Sequence, residues 1–483
     1  MRARFSWGAV VPPATALLIA LVLTAGAYGY HRDELYFRML PPAWGYVDQP
    51  PLAPTLARVL SGVVDEAWAL RIPAIMCAVA AVFVVALIAR EVGGGGFAQA
   101  LAAWGSGFGA FALLFGHVFL TASFDLLVWP LVVLFVMRAI VRDQPRWWLL
   151  AGVVVGVSMY GKLLIAQLLI ALAIGILVIG PRRALLTPWP YAGVILAVVI
   201  GLPNLLYQAA NGWPQLTMGA ALAAENAAEV RVLVWPFLLL LIGPLLAVFW
   251  VAGIVGLFRR AGWRSLRFLP LALAVLVVLT FAFGAQFYYP LGLLVVLYAI
   301  GCVVVSDWAR TRSRRGIAIA AVALNALVSA VISLPVIPLG VVGATPVPGI
   351  NQVVADQIGW PDYVETIQDV AAQAESAAAE TAILTSNYGE AGALERFGSA
   401  GLPVISGHNA LGDLGPPPDE VTTLVVVGPV GPVLEGSFDR CVERARLDNG
   451  VGVDNEEQGA PVSLCTGRNT AWEELWPRLR HLD

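Results

Sequence analysis

Residues 72–89 read IPAIMCAVAAVFVVALIA, a continuous apolar run without a charged side chain. A helix needs about 20 mostly apolar residues to cross a bilayer, so this run predicts a transmembrane helix. Another apolar stretch, at about 9–28, follows Arg2 and Arg4, an arrangement that also occurs in signal peptides. No A-x-A cleavage site follows it, so we interpret it as a retained transmembrane helix. Ten stretches accompany residues 72–89, at about 9–28, 97–116, 126–137, 147–161, 163–180, 188–207, 232–258, 268–285, 287–306 and 316–339. The sequence therefore predicts a polytopic α-helical membrane protein with about 11 transmembrane helices.

The composition agrees with this fold class. Of 483 residues, 59% are apolar and 13% are charged, which excludes a soluble enzyme. The mean hydropathy of +0.78 excludes a disordered chain. Residues 1–344 carry 22 basic and 11 acidic side chains, whereas residues 345–483 carry 7 and 21. We therefore predict a membrane domain at 1–344 and a soluble, acidic α/β domain at 345–483.

The basic residues indicate the orientation of the chain. Lys and Arg in short loops are retained in the cytoplasm. With the N-terminus inside, 16 basic residues of the membrane part fall in cytoplasmic segments and six fall outside. This orientation places the domain at 345–483 outside the cytoplasm. Because the Arg-rich, Lys-poor usage is typical of a GC-rich bacterial genome, we predict a multi-pass protein of the bacterial inner (plasma) membrane.

The ionisable residues of the membrane part concentrate at the outer ends of helices. No Asp, Glu, Lys or Arg lies near the centre of a predicted span, whereas an ion-coupled transporter usually keeps such a group there. The residues at the outer ends are Asp33, Glu34, Asp48, Asp125 and Lys162, which is the single lysine of the chain. These residues are the first candidates for a functional site.

The first outer loop, at about residues 30–71, is much longer than most helix connections. It contains HRDELYF at 31–37 and GYVDQPPL at 45–52. Long loops of this kind are often functional. Taken alone, Asp33 and Glu34 are explained equally well as solvated charges at the membrane face, and the diproline as the start of a helix.

The two motifs together resemble the first extracytoplasmic loop of the protein O-mannosyltransferase-like membrane glycosyltransferases. This GT-C group includes the bacterial lipid A aminoarabinose transferases. The resemblance also covers the helix count, the orientation and Asp125. It implies an enzyme that takes a sugar from a polyprenyl-phosphate donor and transfers it to a protein, lipid or glycan acceptor of the cell envelope at the outer face of the membrane.

The resemblance also implies catalytic roles. In that family the Asp of the Asp-Glu pair is the proposed catalytic base, which corresponds to Asp33, and Glu34 would orient the acceptor or the sugar. A phosphate leaving group needs no strong general acid, whereas the acceptor hydroxyl must lose its proton. One carboxylate opposite the leaving phosphate predicts inversion at the anomeric carbon. Family members often carry His where this sequence has Gln49.

Two basic residues are candidates for binding the donor phosphate. Lys162, in the sequence Tyr160-Gly161-Lys162, resembles a Lys-Gly-like element of the family. A lysine that snorkels to the membrane surface explains it equally well without the family match. Arg231, near the outer end of the eighth predicted span, is the second candidate.

The resemblance implies that further residues bind substrate, and several of them have a simpler alternative. A helix N-cap explains Asp125 equally well. An aromatic membrane anchor is the favoured interpretation of Tyr288 and Tyr289, and a helix-start carboxylate is the favoured interpretation of Glu390. His408 also fits an ordinary turn. The full predicted set is His31, Tyr36, Tyr46, Asp48, Gln49, Asp125, Tyr288, Tyr289, Glu390, His408 and Asn409.

The domain at 345–483 contains two of the four cysteines. Cys441 and Cys465 lie in the predicted oxidising compartment, so we predict a disulfide between them. Cys77 and Cys302 fall in predicted spans and are expected to be free. The domain is interpreted as acceptor-binding or structural.

The sequence is also compatible with function classes other than glycosyl transfer. A transporter or flippase of lipid-linked precursors and a non-enzymatic membrane scaffold stay as alternatives. The sequence gives no support for nucleic-acid binding, since no basic run is interleaved with aromatic residues. No cofactor is predicted; His117 and Asp125 lack a metal-binding spacing, and a divalent metal is left open. The expected partners are the lipid-linked donor, membrane lipid and the envelope acceptor.

Overall fold

The computed structural model describes residues 3–284, 286–374, 378–399 and 401–483. It divides into two folded units. The first comprises Met1–Ala25, Gln49–Leu52 and Arg71–Leu334. The second comprises Gly26–Asp48, Ala53–Leu70 and Pro335–Asp483.

The first unit is helical throughout. Short 3₁₀ helices connect its α-helices at Arg182–Leu186, Pro244–Leu246 and Ala261–Leu266. The α-helices are Trp7–Thr24, Ile72–Glu91, Gly96–Gly107, Ala110–His117, Thr121–Arg142, Arg146–Ser158, Ile165–Val178, Pro188–Ala210, Pro214–Leu240, Ala247–Arg259, Phe268–Phe283, Leu291–Trp308 and Arg312–Ser333.

The predicted transmembrane character is confirmed. Within the described residues, seven helices are long and apolar enough to cross a membrane, or nine if two bent pairs each form one span. Two shorter apolar helices, Arg146–Ser158 and Ile165–Val178, coincide with the fifth and sixth predicted stretches. Each of the 11 predicted stretches overlaps one of these segments, and the count of 11 spans stays a prediction.

The bent pairs break where glycines interrupt the helices. The Gly96–Gly107 and Ala110–His117 helices meet at 55°, and Pro214–Leu240 meets Pro244–Arg259 at 70°. Gly243 has φ of 106° at the second break. A break inside a bilayer exposes backbone groups that no water can satisfy. Asn325 meets this need, since its Nδ2 donates a hydrogen bond of 2.9 Å to the carbonyl of Ile242.

The second unit is a small α/β assembly. Its five strands are β1 (Thr381–Thr385), β2 (Val404–Ser406), β3 (Thr423–Val427), β4 (Phe438–Arg446) and β5 (Pro461–Arg468), in the order β2-β1-β3-β5-β4. Strands β1, β2 and β3 pair in parallel, and β5 is antiparallel to both β3 and β4. The helices are Arg32–Met39, Leu52–Ser61, Ala67–Leu70, Leu339–Val342, Val347–Ile350, Gln352–Ala355, Trp360–Ala371, Tyr388–Phe397, Gly431–Leu434 and Trp472–Leu479, with 3₁₀ turns at Ala378–Glu380 and Asn409–Leu414.

The first loop belongs to this second unit. Helix Arg32–Met39 buries Leu35, Tyr36 and Phe37. It lies so close to helix Tyr388–Phe397 that a Cβ on Gly392 would be 2.7 Å from the backbone of Leu35. From the sequence, we assign this loop to the membrane domain at 1–344. In the structure it folds with Pro335–Asp483, because its apolar side chains are buried in the second unit.

The predicted disulfide is confirmed. Cys441 and Cys465 are bonded across the antiparallel pair formed by β4 and β5, where they are direct partners. Among the described residues, Cys77 and Cys302 are free, as expected. The sequence of this domain predicts strands at 381–385, 402–405 and 421–427, which overlap β1, β2 and β3, whereas it does not predict β4 and β5.

Candidate functional site

A capping box fixes the start of helix Arg32–Met39. The His31 backbone N–H donates to Glu34 Oε2 at 2.8 Å, and the Asp33 N–H donates to His31 Nδ1 at 3.1 Å. The Glu34 side chain is fully buried. Such a box satisfies N–H groups that a helix start leaves unpaired. His31 and Glu34 therefore fix the backbone that carries Asp33.

The Asp33 carboxylate contacts a tyrosine from a distant part of the chain. The Tyr388 hydroxyl donates a hydrogen bond of 2.9 Å to Asp33 Oδ1. The Arg32 guanidinium lies 4.8 Å from the centre of the Tyr388 ring. Asp33 itself is half-buried. A hydroxyl that donates to a carboxylate favours its ionised form, which is the form a general base requires.

Asp48 lies in the same cluster. Burial raises the pKa of Asp48 to about 7, the Tyr36 hydrogen bond opposes the rise, and the charges of Asp33 and Asp413 add to it. Tyr36 stacks on Tyr388 with ring centres 4.6 Å apart, and its hydroxyl accepts the Ala410 N–H at 3.1 Å. The carboxyl groups of Asp33 and Asp48 thus lie in different environments, since the first accepts a hydrogen bond from Tyr388 and burial raises the pKa of the second. Such a difference is common at sites of acid–base chemistry.

A third carboxyl group, Asp356, was missed by the sequence analysis. Its Oδ2 lies 3.8 Å from His31 Nε2. Burial raises the pKa of Asp356 to about 8, and the charge of Arg32 opposes this. Trp360 Nε1 donates to the carbonyls of Tyr30 and Asp356, both at 3.1 Å, and joins the two chain segments. No local sequence pattern connects His31 with a residue so far along the chain.

Glu390 is the helix-start carboxylate of Tyr388–Phe397. Its Oε2 accepts from the Ser386 N–H at 2.8 Å, and Asn387 Oδ1 accepts from the Glu390 N–H at 2.9 Å. Burial, reinforced by the charge of Glu457, raises the pKa of Glu390 from 4.5 to about 8. The helix-start alternative is thereby confirmed, and the substrate-binding role stays a prediction.

The titration of Glu390 predicts a pH-dependent stability. Between pH 4.5 and about 8 the folded state holds a proton that the unfolded state has lost, so stability falls as the pH rises through this interval. Glu390→Gln, which resembles the protonated form, is expected to flatten the decline in melting temperature of the full-length protein in detergent. The exposed Glu365→Gln is the matched control. Equal declines in both variants would contradict the assignment.

His408 and Asn409 lie beside Tyr388 and Asp483. The Tyr388 N–H donates to His408 Nδ1 at 3.2 Å, and His408 Nε2 contacts the Asp483 carboxylate. Asn409 Nδ2 donates to the Asp483 carbonyl at 3.2 Å. The ligand atoms of His408, His481 and Asp483 lie within 4.8 Å of one another, a spacing that suits a metal ion.

The hydrogen bonding of His408 argues against a metal at this cluster. A metal-bound His normally donates its other ring N–H to an acceptor. His408 Nδ1 instead accepts the Tyr388 N–H, so it carries no proton. A metal at Nε2 would then require an imidazolate or the loss of that hydrogen bond. The donor set therefore fits a hydrogen-bonded pair of His408 and Asp483 better than a metal centre.

Lys162 lies in the first unit, just after helix Arg146–Ser158. Its Nζ donates to the Tyr288 hydroxyl at 3.4 Å and lies 5.6 Å and 5.3 Å from the centres of the Tyr288 and Tyr289 rings. Lys162 and Asp125 also interact electrostatically. The structure thus brings together four predicted residues, namely Asp125, Lys162, Tyr288 and Tyr289. The Lys162 ammonium group is partly buried beside the two tyrosine rings.

Asp125 is not a helix N-cap, so that alternative is wrong. Helix Thr121–Arg142 begins after Leu120, where Ser123 Oγ accepts the Leu120 N–H at 3.0 Å. Trp129 Nε1 donates to Asp125 Oδ1 at 3.1 Å. Together with Tyr288 and Tyr289, Asp125 lines a cavity of about 40 Å³. The cavity has room for a few water molecules.

The remaining predicted residues have structural contacts of their own. Arg231 is exposed, and its Nε donates to the Phe281 carbonyl at 3.3 Å. The Tyr46 hydroxyl donates to the Pro41 carbonyl at 2.7 Å, and Gln49 is buried. Their substrate roles stay predictions.

A fully buried arginine, Arg71, had no role in the sequence analysis. Its Nη1 donates to the Ala25 carbonyl at 2.8 Å and lies 3.3 Å from His117 Nε2. Arg71 immediately precedes helix Ile72–Glu91, and His117 ends helix Ala110–His117. The contact joins these helix ends with the segment after Trp7–Thr24. The only feature of the sequence that could have indicated a role for Arg71 is its position at the start of a predicted helix.

Comparisons with known proteins agree on the fold. Residues 48–207 match the family model described as dolichyl-phosphate-mannose-protein mannosyltransferase. The structure matches crystal structures of ArnT from Cupriavidus metallidurans, bound to undecaprenyl phosphate (TM-score 0.62) and in the apo state (0.60), each at 14% identity over 95% of this chain and 98% of that chain. The arabinofuranosyltransferase AftD from Mycobacteria matches with a TM-score of 0.53 and 13% identity, over 97% of this chain and 40% of that chain. A comparison with curated protein sequences gives no match.

The chain is a multi-pass membrane protein with the GT-C fold of membrane glycosyltransferases. Within this class, the match at 48–207 and the fold confirm the predicted resemblance to the protein O-mannosyltransferase-like proteins.

Proposed function

We propose that the protein transfers a sugar from a polyprenyl-phosphate carrier to an envelope acceptor, with Asp33 as the general base. The observation that carries the proposal is the Asp33 carboxylate, which accepts a hydrogen bond from Tyr388 and interacts with the Asp48 carboxyl group. The ArnT structure with bound undecaprenyl phosphate supports a carrier of this chemical class.

The proposed reaction is a single displacement. Asp33 takes the proton of the acceptor hydroxyl while the acceptor oxygen bonds to the anomeric carbon. The bond between that carbon and the phosphate oxygen breaks, and the carrier phosphate keeps the electron pair. Because a phosphate leaves as a weak base, one carboxylate suffices, and attack from the opposite side inverts the anomeric configuration.

Lys162 is the proposed group for the carrier phosphate. An ammonium group in a setting of low dielectric constant stabilises an anion more strongly than it does in water. The hydroxyl of Tyr288 holds Lys162 Nζ at 3.4 Å, and the flanking rings of Tyr288 and Tyr289 restrict its position. This arrangement supports anion binding more than free snorkelling of the side chain. Arg231 is kept as a second, more exposed candidate.

The proposed location is the bacterial inner membrane, with the second unit outside the cytoplasm. The support is the distribution of the basic residues and the disulfide between Cys441 and Cys465, which suits an oxidising compartment. The proposal includes no cofactor, and assays with and without a chelator and Mg²⁺ test for a metal requirement.

The stereochemistry of the product provides the direct test. The purified protein, with a synthetic polyprenyl-phosphate sugar and an envelope extract as acceptor, is expected to yield a glycoside of inverted anomeric configuration by NMR. A retained configuration would contradict the single displacement. Movement of the intact lipid-linked sugar across a proteoliposome without bond cleavage would support a transporter instead.

A further inference from the structure

A series of side-chain contacts within the second unit connects Asp483 to Asp33. His408 Nε2 contacts the Asp483 carboxylate, and His408 Nδ1 accepts the backbone N–H of Tyr388 at 3.2 Å. The Tyr388 hydroxyl then donates to Asp33 Oδ1 at 2.9 Å. Tyr388 is thus held at its backbone by one buried side chain and contacts the proposed base with its hydroxyl.

The tautomer of His408 follows from these contacts. Nδ1 accepts a hydrogen bond and carries no proton, so in the neutral ring the proton lies on Nε2 and faces Asp483. Burial lowers the pKa of His408, which favours the neutral ring. The hydrogen bond and the charge of Asp483 favour protonation of the ring, whereas the charges of His481 and Arg32 oppose it, and the pKa is lowered overall. His408 therefore keeps its acceptor for Tyr388 at neutral pH.

The Tyr388 ring is also fixed on its faces. Tyr36 stacks on it with a centre distance of 4.6 Å, the His408 ring lies 4.7 Å away, and the Arg32 guanidinium lies 4.8 Å from its centre. A side chain restrained in this way gives up little further entropy when it holds a partner. Its hydroxyl is therefore pre-organised toward Asp33.

We propose that Tyr388 is a positioning residue that keeps Asp33 ionised and oriented for proton abstraction, and that the His408–Asp483 pair fixes Tyr388. This inference rests on the proposed role of Asp33. The ionisable groups that act on Asp33 include Tyr388, Asp48 and Asp356, with Arg32 adjacent in sequence. The two carboxyl groups oppose the ionisation of Asp33 when they are charged, whereas the Tyr388 hydroxyl favours it.

Tyr388→Phe is the primary test. Loss of the hydroxyl removes a hydrogen bond to a charged group, so the acidic limb of the kcat/KM profile is expected to move to higher pH by about one to two units. Turnover above that limb is expected to recover in large part. The measurement is sugar transfer by the full-length protein across pH 5 to 9.

The matched control is Tyr363→Phe. Tyr363 is a buried tyrosine of the same unit whose hydroxyl donates to Asn455 Oδ1 at 2.8 Å. Within the described part of the chain it does not contact Asp33. It is expected to lower the melting temperature without moving the acidic limb. His408→Leu removes the acceptor near Tyr388 and is expected to move the limb in the direction of Tyr388→Phe. His408→Asn keeps an acceptor there but loses the Asp483 contact, so it is expected to move the limb less than His408→Leu does.

The outcomes separate this inference from the proposed function. If Tyr388→Phe and Tyr363→Phe both leave the acidic limb unmoved while Asp33→Asn abolishes transfer, Tyr388 has no positioning role and the proposed function stands. If Asp33→Asn transfers sugar as the wild type does, Asp33 is not the general base, and that part of the proposed function is wrong together with this inference. If Tyr388→Phe does not fold, an unmoved limb in a folded His408→Leu variant overturns the inference.

Discussion

Asp33→Asn is expected to lower sugar transfer by at least about a hundredfold, since positioned acid–base groups contribute about 10²–10⁴-fold to rates. The amide has the size of the carboxyl group, and its oxygen still accepts the Tyr388 hydroxyl, so the fold is expected to persist. What is lost is a group that takes a proton from the acceptor. The measurement is turnover of a labelled polyprenyl-phosphate sugar, together with the melting temperature.

The control for this variant is Asp362→Asn. Asp362 is exposed in the first turn of helix Trp360–Ala371, within the same unit. It is expected to transfer sugar at the wild-type rate. Full turnover by Asp33→Asn, with both variants equally stable, would remove Asp33 from its proposed role as general base. A scaffold or transporter would instead show no turnover even as the wild type.

Lys162→Met is expected to lower turnover by about 10²–10³-fold, the usual cost of removing one group that stabilises a developing anion. Met keeps most of the side-chain volume between Tyr288 and Tyr289 but removes the charge. Lys162→Arg is expected to retain part of the activity, because the charge stays while the geometry changes. Arg231→Met is expected to have a smaller effect because Arg231 is exposed.

The single lysine gives an independent readout of this assignment. An amine-selective reagent modifies only Lys162 among the side chains, and peptide mapping separates this from the chain terminus. Bound polyprenyl phosphate is expected to protect Lys162 from the reagent. Arg312→Met, an exposed cation of the first unit, is the control for loss of charge alone. Unchanged labelling at saturating polyprenyl phosphate, with normal turnover of Lys162→Met, would exclude the phosphate role.

The fold was largely predictable because long apolar runs have few alternatives to membrane helices. The helix breaks were not predictable, since Gly243 looks like any other glycine in an apolar run and its partner Asn325 lies on another helix. Strand β4 was missed because its burial does not alternate: of its nine residues only Phe438 is buried. Its charged residues obscure the pattern that indicates a strand.

Individual residues of the site were predictable from local motifs, whereas most of their contacts with distant residues were not. The motif at 31–37 identified Asp33 and Glu34, although it did not show that Glu34 forms a capping box. Asp33 and Tyr388 are 355 positions apart in the sequence, so no local sequence pattern could predict their contact. The Asp33 environment therefore required the tertiary structure, as did the contact of His31 with Asp356.

The second unit is built from segments that are far apart in the sequence, and this affects its biosynthesis. Roughly 260 residues separate Leu70 from Pro335, and a ribosome needs roughly 15 to 50 s to make them at about 5–20 residues per second. During that delay helix Arg32–Met39 lacks the helix Tyr388–Phe397 that covers Leu35. The apolar face of the nascent loop is therefore uncovered during this interval. A recombinant fragment that starts at residue 345 would lack the segments Gly26–Asp48 and Ala53–Leu70, which belong to the same folded unit.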